Sequence, residues 1–393
     1  MDLSIQQSDL AYAVSNALGS VPAKSTLTIL QALLLEAQGE TVRITGTNLE
    51  VTTSITVPCA VTAGGRAAVH ARHFVDAVRK LPREQVRVAD EEGNLTVFYG
   101  KGKGKSQVPK LDDQDFPLQP EIRPEGKITI DGPVLGRLIQ RSAYAVSSDE
   151  TRAVLNGVLV QPSEKEIALV ATDGHRLARA RRKGSFGALG KDGFVVPGRT
   201  IQMVGHMAAE ATSPVEIALA PGRNQAAFRM KVGAYDVVVF SRLLEGPFPN
   251  YEQVIPKTNS RLLTVSRAEL REAIDRVSTH SDNITHQVKI ELGAGKLTIR
   301  VNTTDVGAGE ETIEAKYADE PMAVAYNANY LLDILKNTEA EQVTFRLDKP
   351  TNAGVVEPEG GLADKEEDLL CLIMPLRLPE PAETAGAGGA RRG

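Results

Sequence analysis

The chain has no tryptophan, and aromatic residues make up only 4% of its 393 positions, too few for a platform that stacks sugar rings or unpaired bases. Its two cysteines, Cys59 and Cys371, lie 312 residues apart with no CxxC or Cys/His spacing, which excludes a disulfide framework and a structural zinc site. No apolar run reaches the roughly 18–20 residues of a membrane span. The opening MDLSIQQSDLAYAV lacks a basic region leading into a secretory apolar core. A cytoplasmic protein without a membrane partner is expected. Neither sign of charge dominates: 45 Lys and Arg against 50 Asp and Glu leave −5, which argues against a wholly basic coating protein but permits a local basic surface. What is present is 42% apolar residues, enough for several cores, in a length that suggests two to four domains.

The chain repeats itself. LAYAVSNALGSVP from Leu10, LGRLIQRSAYAVSSD from Leu135 and LREAIDRVSTHSD from Leu270 start 125 and 135 residues apart, each with apolar residues at helical spacing and then a switch to period two. A second helical pattern recurs in RHFVDAVRKLP, RTIQMVGHMAA and NYLLDILKNTE, aligned on Val75, Ile201 and Leu331 at separations of 126 and 130. The first two units close alike, at Phe116-Pro117 and Phe248-Pro249. This period is too long for a solenoid and predicts tandem homologous domains. We read three modules, each with two helices and about eight strands: 1–122, 123–255 and 256–379. Linkers fall in PEIRPEGK (120–127) and IPKTNS (255–260), and residues 380–393 read as a disordered tail. The fold class is α+β, helices packed on antiparallel sheets.

Enzymatic signatures are weak. YGKGKGKSQ (99–107) resembles a phosphate loop, but Tyr99 stands where the first glycine belongs and Val108-Pro109 follows where a helix should open. A nucleotide hydrolase using the 100–106 loop is the alternative function. His175 sits beside Asp173 in ATDGHRLA, yet no nucleophile motif accompanies it, and a turn at Asp-Gly accounts for the local shape. His70 with His73, and His280 with His286, have no third ligand at a metal-site spacing. The acidic stretch EPEGGLADKEED (357–368) carries six acids and one Lys and reads as a solvated loop that accounts for the whole net charge. That places acid apart from the basic helix faces. No cofactor and no catalytic site are expected.

The basic residues are more suggestive. Arg137 and Arg141 share one helical face opposite Leu135, Leu138 and Ile139, and Arg72, Arg79, Lys80 and Arg83 form a similar stripe in the first module's second helix. Repeated in several modules, such helices offer a distributed basic surface that contacts phosphates and is indifferent to base sequence.

At ATDGHRLA (171–178), LNGVLV (155–160), FPNYEQVIP (248–256) and MPLRL (374–378), together with the threefold repeat, the chain closely resembles the bacterial DNA polymerase III β subunit family, the sliding clamps, over about 1–379. The resemblance implies a head-to-tail homodimer of three-module chains, closed as a six-module ring with helices lining the hole. The ring encircles double-stranded DNA, slides without sequence preference and makes or breaks no bond. It also implies a nucleoid-associated protein that tethers the polymerase III catalytic subunit and meets the clamp loader, other polymerases and repair proteins through a short clamp-binding peptide.

Carried over by position, the peptide pocket takes Leu155, Thr172, Gly174, His175, Arg176, Leu177, Pro249 and Val254 with Leu372, Met374, Pro375, Leu376 and Arg377 of the C-terminal strand. Apolar residues would anchor the peptide while Arg176 and Arg377 orient a polar partner group. DNA contact is expected from Lys24, Arg79, Lys80, Arg137, Arg141, Arg152 and Arg199, with Arg271 and Lys336 as weaker third-module candidates. Ser106 and Val108 should face Thr279 and His280 across the dimer seam, a more polar set than a strongly hydrophobic seam would use. Ala153 and Val154 follow Arg152 where some relatives carry aromatic residues, so no aromatic DNA contact is expected there.

Overall fold

A computed structural model describes residues 1–118, 126–186 and 193–378. The tail reading of 380–393 and most of the 120–127 linker lie outside the described residues. The chain divides into two compact units, one of Met1–Pro249 with Glu366–Asp368, the other of Asn250–Lys365 with Leu369 onward.

The first unit starts with β1 (Asp2–Gln6), α1 (Gln7–Ala17), β2 (Ala32–Gln38), β3 (Thr41–Thr47), β4 (Val51–Pro58), β5 (Ala60–Ala63), β6 (Gly65–His70), α2 (Ala71–Arg79), β7 (Gln85–Glu91), β8 (Asn94–Tyr99) and β9 (Gly104–Leu111). The same order then returns without the short β5. Its elements are β10 (Gly126–Ile130), α3 (Gly132–Gln140), β11 (Gly157–Pro162), β12 (Glu166–Thr172), β13 (Arg176–Lys183), β14 (Phe194–Pro197), α4 (Gly198–Ala209), β15 (Val215–Leu219), β16 (Gln225–Val232) and β17 (Tyr235–Arg242). The second unit repeats it once more: β18 (Arg261–Ser266), α5 (Arg267–Ser278), β19 (Gln287–Gly293), β20 (Lys296–Thr303), β21 (Gly307–Lys316), β22 (Met322–Asn327), α6 (Ala328–Lys336), β23 (Gln342–Leu347), β24 (Gly354–Pro358) and β25 (Glu367–Ile373). All three pairs of helical stretches expected from the sequence form, with the strands expected after each.

Each helix pair covers a sheet with its apolar stripe. In α2, Ala71, Phe74, Val75 and Val78 are buried at positions one, four, five and eight, which leaves Arg72, Arg79 and the following Lys80 in solvent. α3 is capped by the Asp131 carboxylate, which accepts from the Val134 N–H, and Pro133 suits its first turn. α3 and α4 approach closely because glycines face the contact. A Cβ on Gly205 would fall 2.7 Å from Ile139 Cγ2, and one on Gly136 would lie 3.0 Å from Ala209. α5 opens on a capping pair in which Ser266 Oγ accepts from the Glu269 N–H.

The sheet topology of the first unit shows how one repeat joins the next. Its larger sheet has the order β10-β15-β16-β17-β4-β3-β2-β6-β9-β8-β7-β1-β5. The last strand of the second repeat, β17, is therefore zipped antiparallel to β4 of the first, with Asp236 opposite Thr56 and Ser241 opposite Val51. Side chains reinforce this joint: the Tyr235 hydroxyl donates to Asp9 Oδ1 at 2.9 Å, and its ring lies 5.0 Å from that of Tyr12. Burial, joined at Tyr235 by the bond to Asp9, pushes both phenols up to about 12. In the second unit the order is β25-β24-β23-β18-β21-β20-β19-β22.

Two strands equivalent to the joined pair are left half-satisfied among the described residues. β9 pairs with β8 along Gly104–Pro109 but meets β6 only at Lys110 and Leu111. β21 pairs with β20 from Gly307 to Glu314 but meets β18 only at Ala315 and Lys316. Each thus presents an open edge of backbone donors and acceptors.

Two expectations are corrected here. The lysine-glycine run is a hairpin tip, with Gly100, Lys101 and Gly102 at positive φ, and it leads into β9 rather than into a helix. Without a helix N-terminus it cannot act as a phosphate loop, and the nucleotide-hydrolase alternative falls. Val108 is buried at 6% exposure, so its side chain offers little apolar surface to the seam expected there.

Candidate nucleic-acid and peptide interfaces

Of the cations assigned to DNA, Lys24, Arg79, Lys80, Arg152 and Arg199 are exposed. Three of them gather around the end of α1. Arg79 Nε donates to Ser15 Oγ at 3.0 Å, Arg199 Nη2 reaches the Gly19 carbonyl at 3.4 Å, and Lys24 stands in the loop that follows. Cations from α2, α4 and the loop after α1 thus form one positive region spanning the first two repeats. The sequence named these cations separately but could not show their convergence. Arg271 and Lys336 are exposed on α5 and α6 of the second unit.

Arg141 is a correction. Its side chain is 4% exposed, and its guanidinium bonds to Glu367, whose carboxylate is fully buried. Arg137 Nη2 holds the other oxygen of the same carboxylate at 2.5 Å, and Arg182 lies 3.7 Å away. A guanidinium committed to a buried carboxylate does not reach a DNA phosphate, so only the part-exposed Arg137 still presents charge outward from α3. The acidic stretch is corrected in the same place. Glu367 is no solvated loop residue, and the expected separation of acid from basic helices breaks down at this position. Burial pushes its carboxyl up, but the bonds from Arg137 and Arg141 outweigh that and hold it below the ordinary range. The next residue, Asp368, accepts from Arg181 at 2.7 Å and Arg179 at 3.3 Å.

The ATDGHRL segment owes its shape to one buried carboxylate. Asp173 Oδ1 accepts from the N–H groups of His175 and Arg176 at 2.8 and 2.9 Å, and its Oδ2 accepts from Arg176 Nε at 3.1 Å. Thr172 Oγ1 donates to the Arg176 carbonyl at 2.7 Å and accepts from the Gly174 N–H. Gly174 has φ +90°, and a Cβ there would fall 2.9 Å from Arg152 Nη1. These bonds close an Asp-initiated turn that lifts Gly174 and His175 into solvent. Arg152 also belongs to this turn, pairing with Asp149 at 3.0 Å and donating to the Asp173 carbonyl at 3.0 Å.

Arg176 differs from expectation. It is buried, donates to the Tyr144 carbonyl at 2.9 Å and lies over the Tyr144 ring, so it braces the turn instead of meeting a partner's polar group. Leu155 and Leu177 are buried too, while Pro249 is exposed.

In the second unit, the Leu376 N–H donates to the Ala325 carbonyl at 2.8 Å and Gln287 Nε2 donates to the Arg377 carbonyl at 3.4 Å. These bonds lay Pro375–Arg377 along the end of β22. Leu372 is buried within β25, whereas Val254, Met374 and Arg377 are exposed. At 40% exposure Met374 is a flexible apolar side chain offered to solvent. Of the seam residues, Thr279 is exposed, and Ser106 and His280 are half-buried. No group of three His, Cys, Asp or Glu that could hold a metal occurs among the described residues, and none of their helices is long and apolar enough to cross a membrane.

Tandem repeats that share a sheet, with helices bearing exposed cations, define an α+β repeat protein with a positive helical surface. The comparisons with known proteins agree. The chain matches the family models of the DNA polymerase III beta subunit: N-terminal domain over residues 1–120, central domain over 129–250 and C-terminal domain over 252–377. It is 30% identical to the beta sliding clamp of Caulobacter vibrioides over 384 residues, covering 96% of this chain and 100% of that protein. The Pseudomonas aeruginosa beta sliding clamp is 30% identical over 380 residues, with the same coverage of 96% and 100%. Among solved structures, the Bartonella birtlesii DnaN sliding clamp bound to griselimycin superposes with a TM-score of 0.87 at 28% identity, covering 96% of this chain and 100% of that one. The chain belongs to the bacterial DNA polymerase III beta subunit family, the beta sliding clamps, and its function is that of a DNA sliding clamp.

Proposed function

We propose that two copies of this chain close head to tail into a ring around duplex DNA and tether the replicative polymerase without catalysing a reaction. The observation that carries this reading is the β4–β17 joint together with its two open counterparts. The end strand of one repeat completes the edge of the preceding repeat. The same operation remains unperformed at β9 of the first repeat and at β21 of the third. A heterologous contact of this kind generates a ring when its rotation closes, and closure removes both exposed edges at once.

The positive region of Lys24, Arg79 and Arg199, with Lys80 and the exposed part of Arg137, supplies phosphate contacts that are equivalent at each step along the duplex and therefore permit sliding. The modules are 1–122, 123–255 and 256–379, and the protein acts in the cytoplasm on the nucleoid. The clamp loader, polymerases and repair proteins engage through a short peptide. Its apolar anchors contact Pro249, Val254, Met374, Pro375 and Leu376, and Gly174, His175 and Arg377 meet its polar groups. The griselimycin-bound clamps of Bartonella birtlesii and Pseudomonas aeruginosa support a ligand-accepting surface in this family.

Native mass spectrometry tests closure. The ring requires a species at twice the 42.2 kDa of the chain at low micromolar concentration. A monomer under those conditions contradicts it.

A further inference from the structure

We propose that the joint between the first two repeats carries a second peptide-docking site, built around the turn at 47–52, which accepts a short partner segment with an apolar anchor flanked by Lys or Arg. It goes beyond the single peptide site given above, on whose residues the comparison rests.

Both halves of that site recur one repeat earlier. Thr47 lies opposite Thr52 where β3 turns into β4, and Thr172 lies opposite Leu177 where β12 turns into β13, a shift of 125 at both positions. The same bonds close the two turns. Asn48 Oδ1 accepts from the N–H groups of Glu50 and Val51 at 3.0 and 2.8 Å, as Asp173 does from those of His175 and Arg176. Thr47 Oγ1 donates to the Val51 carbonyl and accepts from the Leu49 N–H, both at 3.1 Å, as Thr172 does with Arg176 and Gly174. The other half returns at the end of the second repeat. There the Leu244 N–H donates to the Val195 carbonyl of β14 at 2.9 Å, as the Leu376 N–H does to Ala325 of β22. Within the first unit the halves meet, because the Arg242 N–H donates to the Glu50 carbonyl at 2.7 Å.

The backbone frame is kept while its side chains differ. Leu49 stands in place of Gly174 and holds φ +75°, a left-handed conformation that is costly for leucine and free for glycine, yet the residue is 60% exposed. Leu27, three residues before the buried Leu30 as Arg152 is before the buried Leu155, is 55% exposed. An apolar side chain held in solvent at a backbone cost contributes little to the fold and is accounted for by a partner that covers it.

Charge selects the occupant. With the turns superposed, Glu50 stands where His175 does; with the Leu244 and Leu376 bonds superposed, Glu245 stands where Arg377 does, and both glutamates are exposed. Arg242 takes the place of Met374, so the apolar anchor comes from the turn and not from the terminal segment. Two glutamates against one arginine make this site anionic where the other is cationic. It therefore favours a segment bearing Lys or Arg and disfavours an acidic peptide or a DNA phosphate.

Fluorescein-labelled hexapeptides test this. Each keeps one Leu and one Phe as anchors, with its other positions all Lys or all Glu, and fluorescence anisotropy is read on the full chain, on Leu49→Gly and on Met374→Ala. Leu49→Gly removes the anchor and relieves the left-handed backbone together, and circular dichroism establishes that it folds. The Lys peptide should bind the unaltered chain, weaken at least about tenfold on Leu49→Gly and keep its affinity on Met374→Ala. Glu50→Lys with Glu245→Lys should weaken it by a similar factor. A Lys peptide that does not bind, or that binds Leu49→Gly as tightly as the unaltered chain, overturns the second site. The Glu peptide reads the first site separately: its loss on Met374→Ala sustains that site whatever the Lys peptide does, and its indifference to Met374→Ala counts against that site alone.

Discussion

Glu367 shows how much a single side chain can redirect. Its buried carboxylate consumes Arg141 and part of Arg137, two cations that helical spacing alone assigns to DNA. Removing one partner of a buried pair leaves the other charged and desolvated, at a cost of about 3–5 kcal/mol. Glu367→Gln should therefore lower the thermal denaturation midpoint by several degrees at neutral pH, read by calorimetry. The sign with pH is definite. The folded carboxyl is depressed, so its contribution is complete above the ordinary carboxylate range and is lost as pH falls through the folded value. The variant should accordingly lose the part of the acid destabilisation that Glu367 supplies, and equal midpoints for variant and parent at neutral pH would contradict this role. Nothing in the sequence marks Glu367, because Arg137 and Arg141 are over 200 positions away and the local pattern reads as one more acidic loop. The Asp173 turn, by contrast, was legible as a turn from Asp-Gly, although its grip on the buried Arg176 was not.

At the level of elements, the helices and their faces could be read directly, since a buried stripe such as Phe74, Val75 and Val78 imposes its period on the sequence. Strand partners could not. The pairing of β17 with β4 joins strands about 180 residues apart, and no local pattern encodes it. The same distinction sorts the residues of the proposed peptide site. Leu177 is buried, so Leu177→Ala should cost about 2–5 kcal/mol of stability and cannot report on binding cleanly. Met374 is exposed on a segment tied to β22 by its own backbone. Met374→Ala should leave the melting temperature nearly unchanged and weaken a short clamp-binding peptide about tenfold, measured by fluorescence anisotropy. An unaltered peptide affinity would remove Met374 from the site.

For the whole molecule, the net charge of −5 conceals a distribution that matters more than its sum. Lys24, Arg79 and Arg199 of the first unit converge on the end of α1, while acids such as Glu367 and Asp368 pair with arginines. In the proposed function such a surface holds phosphates without reading bases. Replacing Lys24, Arg79 and Arg199 together by Ala should reduce the salt dependence of DNA binding by up to about three phosphate contacts' worth, equally for any sequence. In the proposed ring, topology and not affinity keeps the clamp on DNA. The direct measurement is retention of the loaded protein on nicked circular duplex before and after a single restriction cut. The account predicts that the protein stays on the circle at a salt concentration that abolishes ordinary phosphate binding and is lost once the circle is opened. Equal retention on circular and linear DNA would contradict it.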